Sequence, residues 1–251
     1  MPVFADANRV EKIKAALPVV DQLYKAYAEK IHSPGFAYGV VATSIWLHAI
    51  SPIHAALLVV SGGLINQTGL VWTMRRTLEF GRLWPFLIGG AIGIPLGVML
   101  VLETNPRAIQ VALAVFMIAY GFYALIGPRL PHVTWGGRAA DAAVGFLGGL
   151  LGGVAGLSGI FPAMWTQLRG WTKEASRGVY QPFILLAHLL TLLLIGAVAL
   201  DREGAALFLV AIPAILLGSW AGWKVYGRLN ERRFQQMLSL LLIVSGVLLI
   251  V

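Results

Sequence analysis

Polar residues in this chain come in short clusters, and long apolar runs separate them. The runs lie at about 34–50, 52–73, 83–102, 108–127, 142–168, 178–200, 204–226 and 234–251. Most reach the about 20 residues a helix needs to cross hydrocarbon, with 34–50 at the lower limit. The pattern predicts an all-α polytopic membrane protein with about seven to eight membrane segments. Residues 5–31 follow a different rule. Val10, Ile13, Leu17, Val20, Tyr24, Tyr27 and Ile31 recur at alternating spacings of three and four, with charges between them. That spacing predicts an amphipathic helix, kinked at Pro18, lying at the headgroups. A subunit contact through the same stripe is the alternative. The chain thus divides into an amphipathic N-terminal segment, 1–33, and a transmembrane domain, 34–251.

One run is unlike the others. Residues 142–168 carry glycines at 145, 148, 149, 152, 153, 156 and 159, followed by Pro162. A glycine costs a water-soluble helix about 1 kcal/mol against alanine. In lipid, such residues are tolerated where helices pack closely or where a broken helix lines a protected cavity. We therefore expect a broken, re-entrant element at the centre of the molecule.

The two halves repeat. At an offset of 125, Gly93 and Gly97 match Gly218 and Gly222, two GxxxG steps. In the same register Asn105, Arg107, Gln110, Leu113, Ile118 and Gly121 match Asn230, Arg232, Gln235, Leu238, Ile243 and Gly246. The N-x-R-x-x-Q string at a fixed distance from a GxxxG points to duplication, with repeat one about 34–127 and repeat two about 140–251. These residues have structural work to do: asparagine caps the next helix and the glycines allow close packing.

Composition agrees with the membrane reading. The chain is 58% hydrophobic and 12% charged, with mean hydropathy +0.79, where a soluble domain has about 25% charged residues. The net charge of +8 lies mostly in short connections, so it speaks for membrane orientation and not for nucleic acid. The absence of cysteine excludes disulfides, thiolate metal sites and cysteine nucleophiles. The first 30 residues hold no apolar h-region, so no cleavable signal peptide is expected.

Charge also decides how the halves are related. If all eight runs cross, the Lys/Arg bias reverses between them. If 142–168 enters and returns, then Arg75, Arg76, Arg82, Arg129, Arg138, Arg169, Lys173, Arg177, Lys224, Arg228, Arg232 and Arg233 share one face. The basic N-terminal tail joins them if 34–50 crosses, and only Arg107 and Arg202 remain opposite. The positive-inside rule makes the crowded face cytoplasmic. The two units then run in opposite directions as inverted repeats, as in many secondary transporters.

Buried polar groups in lipid need partners and often mark a pathway. The first half offers Ser44, His48, Ser61, Asn66 and Gln67; the second offers Ser158, Gln181 and His188. Allowing for loop-length drift, Asn66 and Gln67 fall within a residue or two of His188 in the repeat register. Gly156 and Gly159 can free backbone N–H groups at a helix start beside Ser158, an anion site that needs no full charge. Arg177 adds attraction near its mouth. The expected substrate site is therefore Ser158, Gly156, Gly159, Gln181, His188, Asn66 and Gln67. The span centres carry no carboxylate for a proton relay or sodium cage, but His188 is placed to couple transport to protons. No catalytic residue, cofactor or metal is called for. The alternatives are a rhomboid-like intramembrane serine protease, using Gly156-Leu157-Ser158-Gly159 with His188 as base, and a structural or receptor protein. Against the protease, no Trp-Arg motif stands in an early loop, and no glycine follows His188 by three residues.

The run GFLGGLLGGVAGLSGIFPAMWTQLRGWTKEASRGVYQPF resembles the second-repeat signature of the TauE/SafE sulfite exporter family, the TSUP permeases. There a glycine-rich stretch leads through G-L-S-G and P to W-x-Q-L-R-G-W and R-x-V-x-Q-P-F. The tail R-L-x-x-R-R-F and the first-half run LWPFLIGGAIGIPLGVML are similar too. The resemblance covers about 34–251. It implies secondary transport of sulfite, sulfonates or related organosulfur anions, typically outward; the expected place is a bacterial inner membrane, with the N-terminus cytoplasmic by the charge rule. A homo-oligomer is compatible with it. The chain departs from the family at its start, where the charged helix 5–31 stands in place of a glycine-rich segment mirroring 142–168.

Overall fold

The computed structural model describes residues 42–43, 46–48, 50–75, 78–126, 132–199, 202, 204–209, 211–213 and 231–250. The predicted helix over 5–31, most of the run 34–50 and the run 204–226 beyond Pro213 lie outside them. Seven helices carry the described fold: α1 (Pro52–Thr73), α2 (Phe80–Glu103), α3 (Pro106–Ile126), α4 (Gly137–Ala155), α5 (Ile160–Leu168), α6 (Lys173–Ala199) and α7 (Glu231–Ile250). No strand occurs among the described residues. Five helices, α1 to α4 and α6, are long and apolar enough to cross a membrane. Their ends follow local chemistry. Ser51 caps α1 by accepting a hydrogen bond from the His54 N–H, with Pro52 in the first turn. Asn105 Oδ1 accepts from the Arg107 N–H at 2.9 Å, so it caps α3 as its position in the repeat predicts.

Glycine sets the closest helix contact. Gly89, Gly93 and Gly97 of α2 face Gly145, Gly149 and Gly153 of α4, each series at steps of four. A Cβ on Gly93 would run into the Phe146 carbonyl, one on Gly97 into that of Leu150, and one on Gly145 into that of Phe86. Residue 86 meets 145, 90 meets 149 and 94 meets 153, so α2 and α4 run parallel, backbone against backbone. This is close packing through small residues, the main means by which helices associate where no hydrophobic force drives them together. On another face of α2, Ile88, Ile92, Leu96 and Met99 are exposed, as a lipid-facing row would be.

The ends of the helices sort by charge. The Glu79 N–H donates to the Gly178 carbonyl, and Arg82 lies 4.8 Å over the Trp171 ring. The starts of α2 and α6 therefore meet. The Val133 N–H donates to the Leu168 carbonyl at 2.7 Å. Trp165 Nε1 donates to Asp141 at 2.7 Å, and Arg169 Nε stands 3.8 Å from the same carboxylate. These links join the end of α5 to the start of α4. Arg75, Arg82, Arg138, Arg169, Lys173 and Arg177 thus gather at one end of the bundle. Arg107 lies at the other, where it donates to the carbonyls of Leu249 and Ile250.

Helices α3 and α7 cross in a reciprocal way. A Cβ on Gly121 would lie 2.7 Å from Ile243 Cγ1 and 3.0 Å from the Ser239 carbonyl. One on Gly246 would lie 2.7 Å from Ile118 Cγ1 and 2.8 Å from the Ala114 carbonyl. Adding 125 to 121, 118 and 114 gives 246, 243 and 239, so each contact has its counterpart. The pair runs antiparallel, with the start of α3 at the end of α7.

Candidate functional site

The run 142–168 is broken where its glycines concentrate. Helix α4 stops at Gly156, whose φ of +72° is left-handed backbone that a side chain resists. A Cβ there would also lie 2.6 Å from Val59 Cγ1 of α1. Four residues later, at Ile160, α5 begins, with Pro162 in its first turn, where a missing N–H costs nothing. α5 then folds back along α4. A Cβ on Gly152 would lie 2.8 Å from Ser158 Cβ, and one on Gly148 would lie 2.9 Å from Pro162 Cδ. Trp165 has by then come down to Asp141.

Three elements meet at the break. His188 Nε2 donates to the Gly156 carbonyl at 3.0 Å, and Thr43 Oγ1 donates to the Ala155 carbonyl at 3.2 Å. Both bonds satisfy carbonyls that the end of α4 leaves open. The His188 ring also packs directly on Gly63 of α1. Because α1 ends and α6 begins at the basic end, the two helices run antiparallel through this contact. Gln67 follows Gly63 by one turn on the same face of α1. Gln181, His188 and Thr191 share a face of α6 at steps of seven and three. With 1.5 Å rise per residue, Gln67 stands about 6 Å and Gln181 about 10 Å from the Gly63–His188 level, both toward the basic end.

These side chains are buried and polar, and most lack partners. Gln67, Ser158, Gln181 and Thr191 are 0% exposed. Among the described residues, the amide atoms of Gln67 and Gln181, the hydroxyls of Ser61, Ser158 and Thr191, and His188 Nδ1 make no hydrogen bond of good geometry, although the Tyr180 hydroxyl interacts with the Gln181 side chain. Each such group costs about 1–3 kcal/mol when left unpaired. Ser158 lies in the break itself and His188 is bonded to it, and the first turn of α5 adds N–H groups with no acceptor inside the helix.

Of the residues expected from the sequence, Ser158, Gly156 and Gly159 are buried in the break and His188 is bonded to it, while Gln67 and Gln181 are buried further toward the basic end. Asn66 is half-buried and points to a different side of α1 from Gln67. His48 is exposed, and Ser44 lies outside the described residues. α1 and α6 end at 73 and 199, an offset of 126, and start at 52 and 173, an offset of 121. At the offset of 125 read from the sequence, His188 falls on Gly63, and the two are in contact. Three participants went unpredicted: Thr43, Thr191 and the Asp141–Trp165–Arg169 cluster. Thr191 was open to detection, since it lies three residues from His188 on a polar face.

Ser158 and His188 do not form a nucleophile–base pair. The imidazole donates to the Gly156 carbonyl and seats its other edge on Gly63, while Ser158 Oγ has no hydrogen-bond partner. A serine protease dyad needs the hydrogen bond that this arrangement omits.

What the fold and the break define is a helical membrane protein with a buried polar centre, where the described residues place no Lys, Arg, Asp or Glu. The chain belongs to the sulfite exporter TauE/SafE family, whose profile matches residues 33–249. It is thereby a membrane transporter of the class that carries sulfite-like anions. No curated protein matches it, and no solved structure does.

Proposed function

We propose that the chain is a secondary transporter that exports sulfite, a sulfonate or a related small organosulfur anion, bound where α4 breaks. One observation carries this reading: Ser158, fully buried and with no hydrogen-bond partner among the described residues, sits where α4 breaks, and the buried amides of Gln67 and Gln181 lie on the faces of α1 and α6 that carry Gly63 and His188. An oxyanion of this class offers acceptors to the two amides, the serine hydroxyl and the N–H groups opening α5. It would satisfy donors that the fold leaves open. Hydrogen bonds to a charged group contribute about 1.5–3 kcal/mol each, enough to hold a small anion without a lysine or arginine in the site.

The architecture supports the same mechanism. The reciprocal contacts of α3 and α7 and the antiparallel run of α1 against α6 support two inverted repeats about an axis in the membrane plane. Such repeats place a site near the midplane and expose it alternately to each side. The fold-back of α5 supports a re-entrant element entering from the basic end. By the positive-inside rule that end is cytoplasmic, in a bacterial inner membrane. The attraction of Arg169 and Arg177 at that end suits collection of an anion from inside. His188, an imidazole, gives transport a group that can take up a proton.

The test is binding and flux with the purified protein. Sulfite, thiosulfate, taurine and sulfoacetate are compared with sulfate and carboxylates by thermal shift, then by uptake into proteoliposomes. Ser158→Ala and Gln181→Ala should each weaken binding about tenfold or more, and His188→Ala should weaken it by releasing the Gly156 carbonyl that holds the break, while each protein still elutes and melts as a folded species. Unaltered rate and affinity in all three would move the site elsewhere.

A further inference from the structure

The contact between Gly63 and His188 joins two positions that the repeat itself relates, since 63 and 188 differ by 125. A residue touches its own counterpart only where the two straddle the axis of the relation. The same offset governs an independent pair of helices, in the reciprocal contacts of Gly121 with Ile243 and Gly246 with Ile118. At an axis, two equivalent side chains compete for one space, so only one can be large. The observed pair obeys this. Any Cβ at 63 would overlap Cε1 and Nδ1 of the His188 ring.

We infer that Gly63 and His188 mark the pseudo-two-fold axis, and that Gly63 is the positioning residue that seats the imidazole on it. This rests on the inverted-repeat transporter reading above and deepens it. The notch in α1 holds one edge of the ring, and the Gly156 carbonyl holds Nε2 at 3.0 Å. The ring is thereby fixed against α1, α6 and the broken helix together. A side chain on the axis keeps its place as the halves rock, so the same imidazole serves the site when it opens to either side. A bond far from the axis would be made in one state and broken in the other.

The pair is tested by a cycle of Gly63→Ala, His188→Ala and the double variant, read by melting temperature and by the sulfite dissociation constant. Gly63→Ala should lower the melting temperature and weaken sulfite binding by as much as His188→Ala, about tenfold. In the His188→Ala background the same glycine change should raise the melting temperature, because the overlap is gone and alanine is the better helix former. It should leave affinity no worse. Equal destabilisation in both backgrounds, or normal binding by Gly63→Ala, overturns the positioning role. The axis is tested with spin labels on cysteines, with and without sulfite. The Ile65–Leu189 distance, near the axis, should hold while the Glu103–Arg202 and Arg75–Lys173 distances change in opposite senses. A change at 65–189 as large as at the ends removes the axis from this place. Sulfite binding without a change at any pair counts against the transport reading instead, and the melting cycle still judges the Gly63–His188 pair.

Discussion

Replacing Gln181 or Gln67 by methionine separates stability from function, because the two should move in opposite directions. Both amides are fully buried, and among the described residues neither makes a hydrogen bond of good geometry, although the Tyr180 hydroxyl interacts with the Gln181 side chain. Leaving such a group unpaired costs about 1–3 kcal/mol, and methionine fills a similar volume without polar atoms. The ligand-free variant should therefore gain about 1–3 kcal/mol. At about 2–4 °C per kcal/mol for a chain of this size, the melting temperature should rise by a few degrees. Binding should fall, because the amide no longer meets the anion. Losing one charge-assisted bond of about 1.5–3 kcal/mol weakens affinity roughly 10- to 150-fold. At a ligand concentration 100 times the original Kd, the unaltered protein gains about 2.7 kcal/mol. A variant bound tenfold more weakly gains about 1.4 kcal/mol. Thermal melts with and without sulfite read both effects in one experiment. A variant that melts lower without ligand, yet shows the full ligand shift, would refute the reasoning. The amide would then be a structural hydrogen-bonding group.

Other perturbations test the frame that holds the site. Gly93→Leu drives a side chain into the α4 backbone at Phe146 and should cost about 1–3 kcal/mol or more. Gly81→Ala, which meets nothing within 4 Å, should be neutral or mildly stabilising; melts of both variants decide. Asp141→Ala strips Trp165 Nε1 of its acceptor and leaves Arg169 uncompensated, with an expected loss of about 1–3 kcal/mol that Asp141→Asn should partly spare. Gly156→Ala forces left-handed backbone on a residue with a Cβ, at about 1–2 kcal/mol, and presses on Val59. Its melting temperature should fall and its sulfite affinity should fall with it. Lys173→Cys should resist an impermeant thiol reagent in intact cells, while Glu103→Cys should react. The reverse pattern would invert the orientation.

Much of the fold was legible because the membrane restricts what a helix can be. Apolar runs of about 20 residues have one use in lipid, so α1, α2, α3 and α6 fell within a few residues of expectation. The glycine cluster at 145–159 also spoke clearly: glycines at steps of four are a packing surface, and Gly156 is a stop. The start of α4 was less clear, because Gly137–Asp141 is polar and reads as a connection. Periodicity within one helix shows which residues share a face but not which helix that face meets. The notch at Gly63 was therefore invisible, as was the bond from Trp165 to Asp141 across 24 residues. An offset of 125 sets His188 against Gly63, but a large residue matched to a small one does not look like a correspondence in the sequence.

The most direct measurement is the flux of radiolabelled sulfite into proteoliposomes holding the purified chain, alongside Ser158→Ala and Gln181→Met proteins of verified fold. The expected result is saturable uptake above empty liposomes, competed by unlabelled sulfonates, and reduced about tenfold or more in both variants at subsaturating sulfite. Uptake at the same rate by all three proteins would contradict a site at the helix break. A well-folded chain that neither binds nor moves any sulfur oxyanion would contradict the transport reading itself.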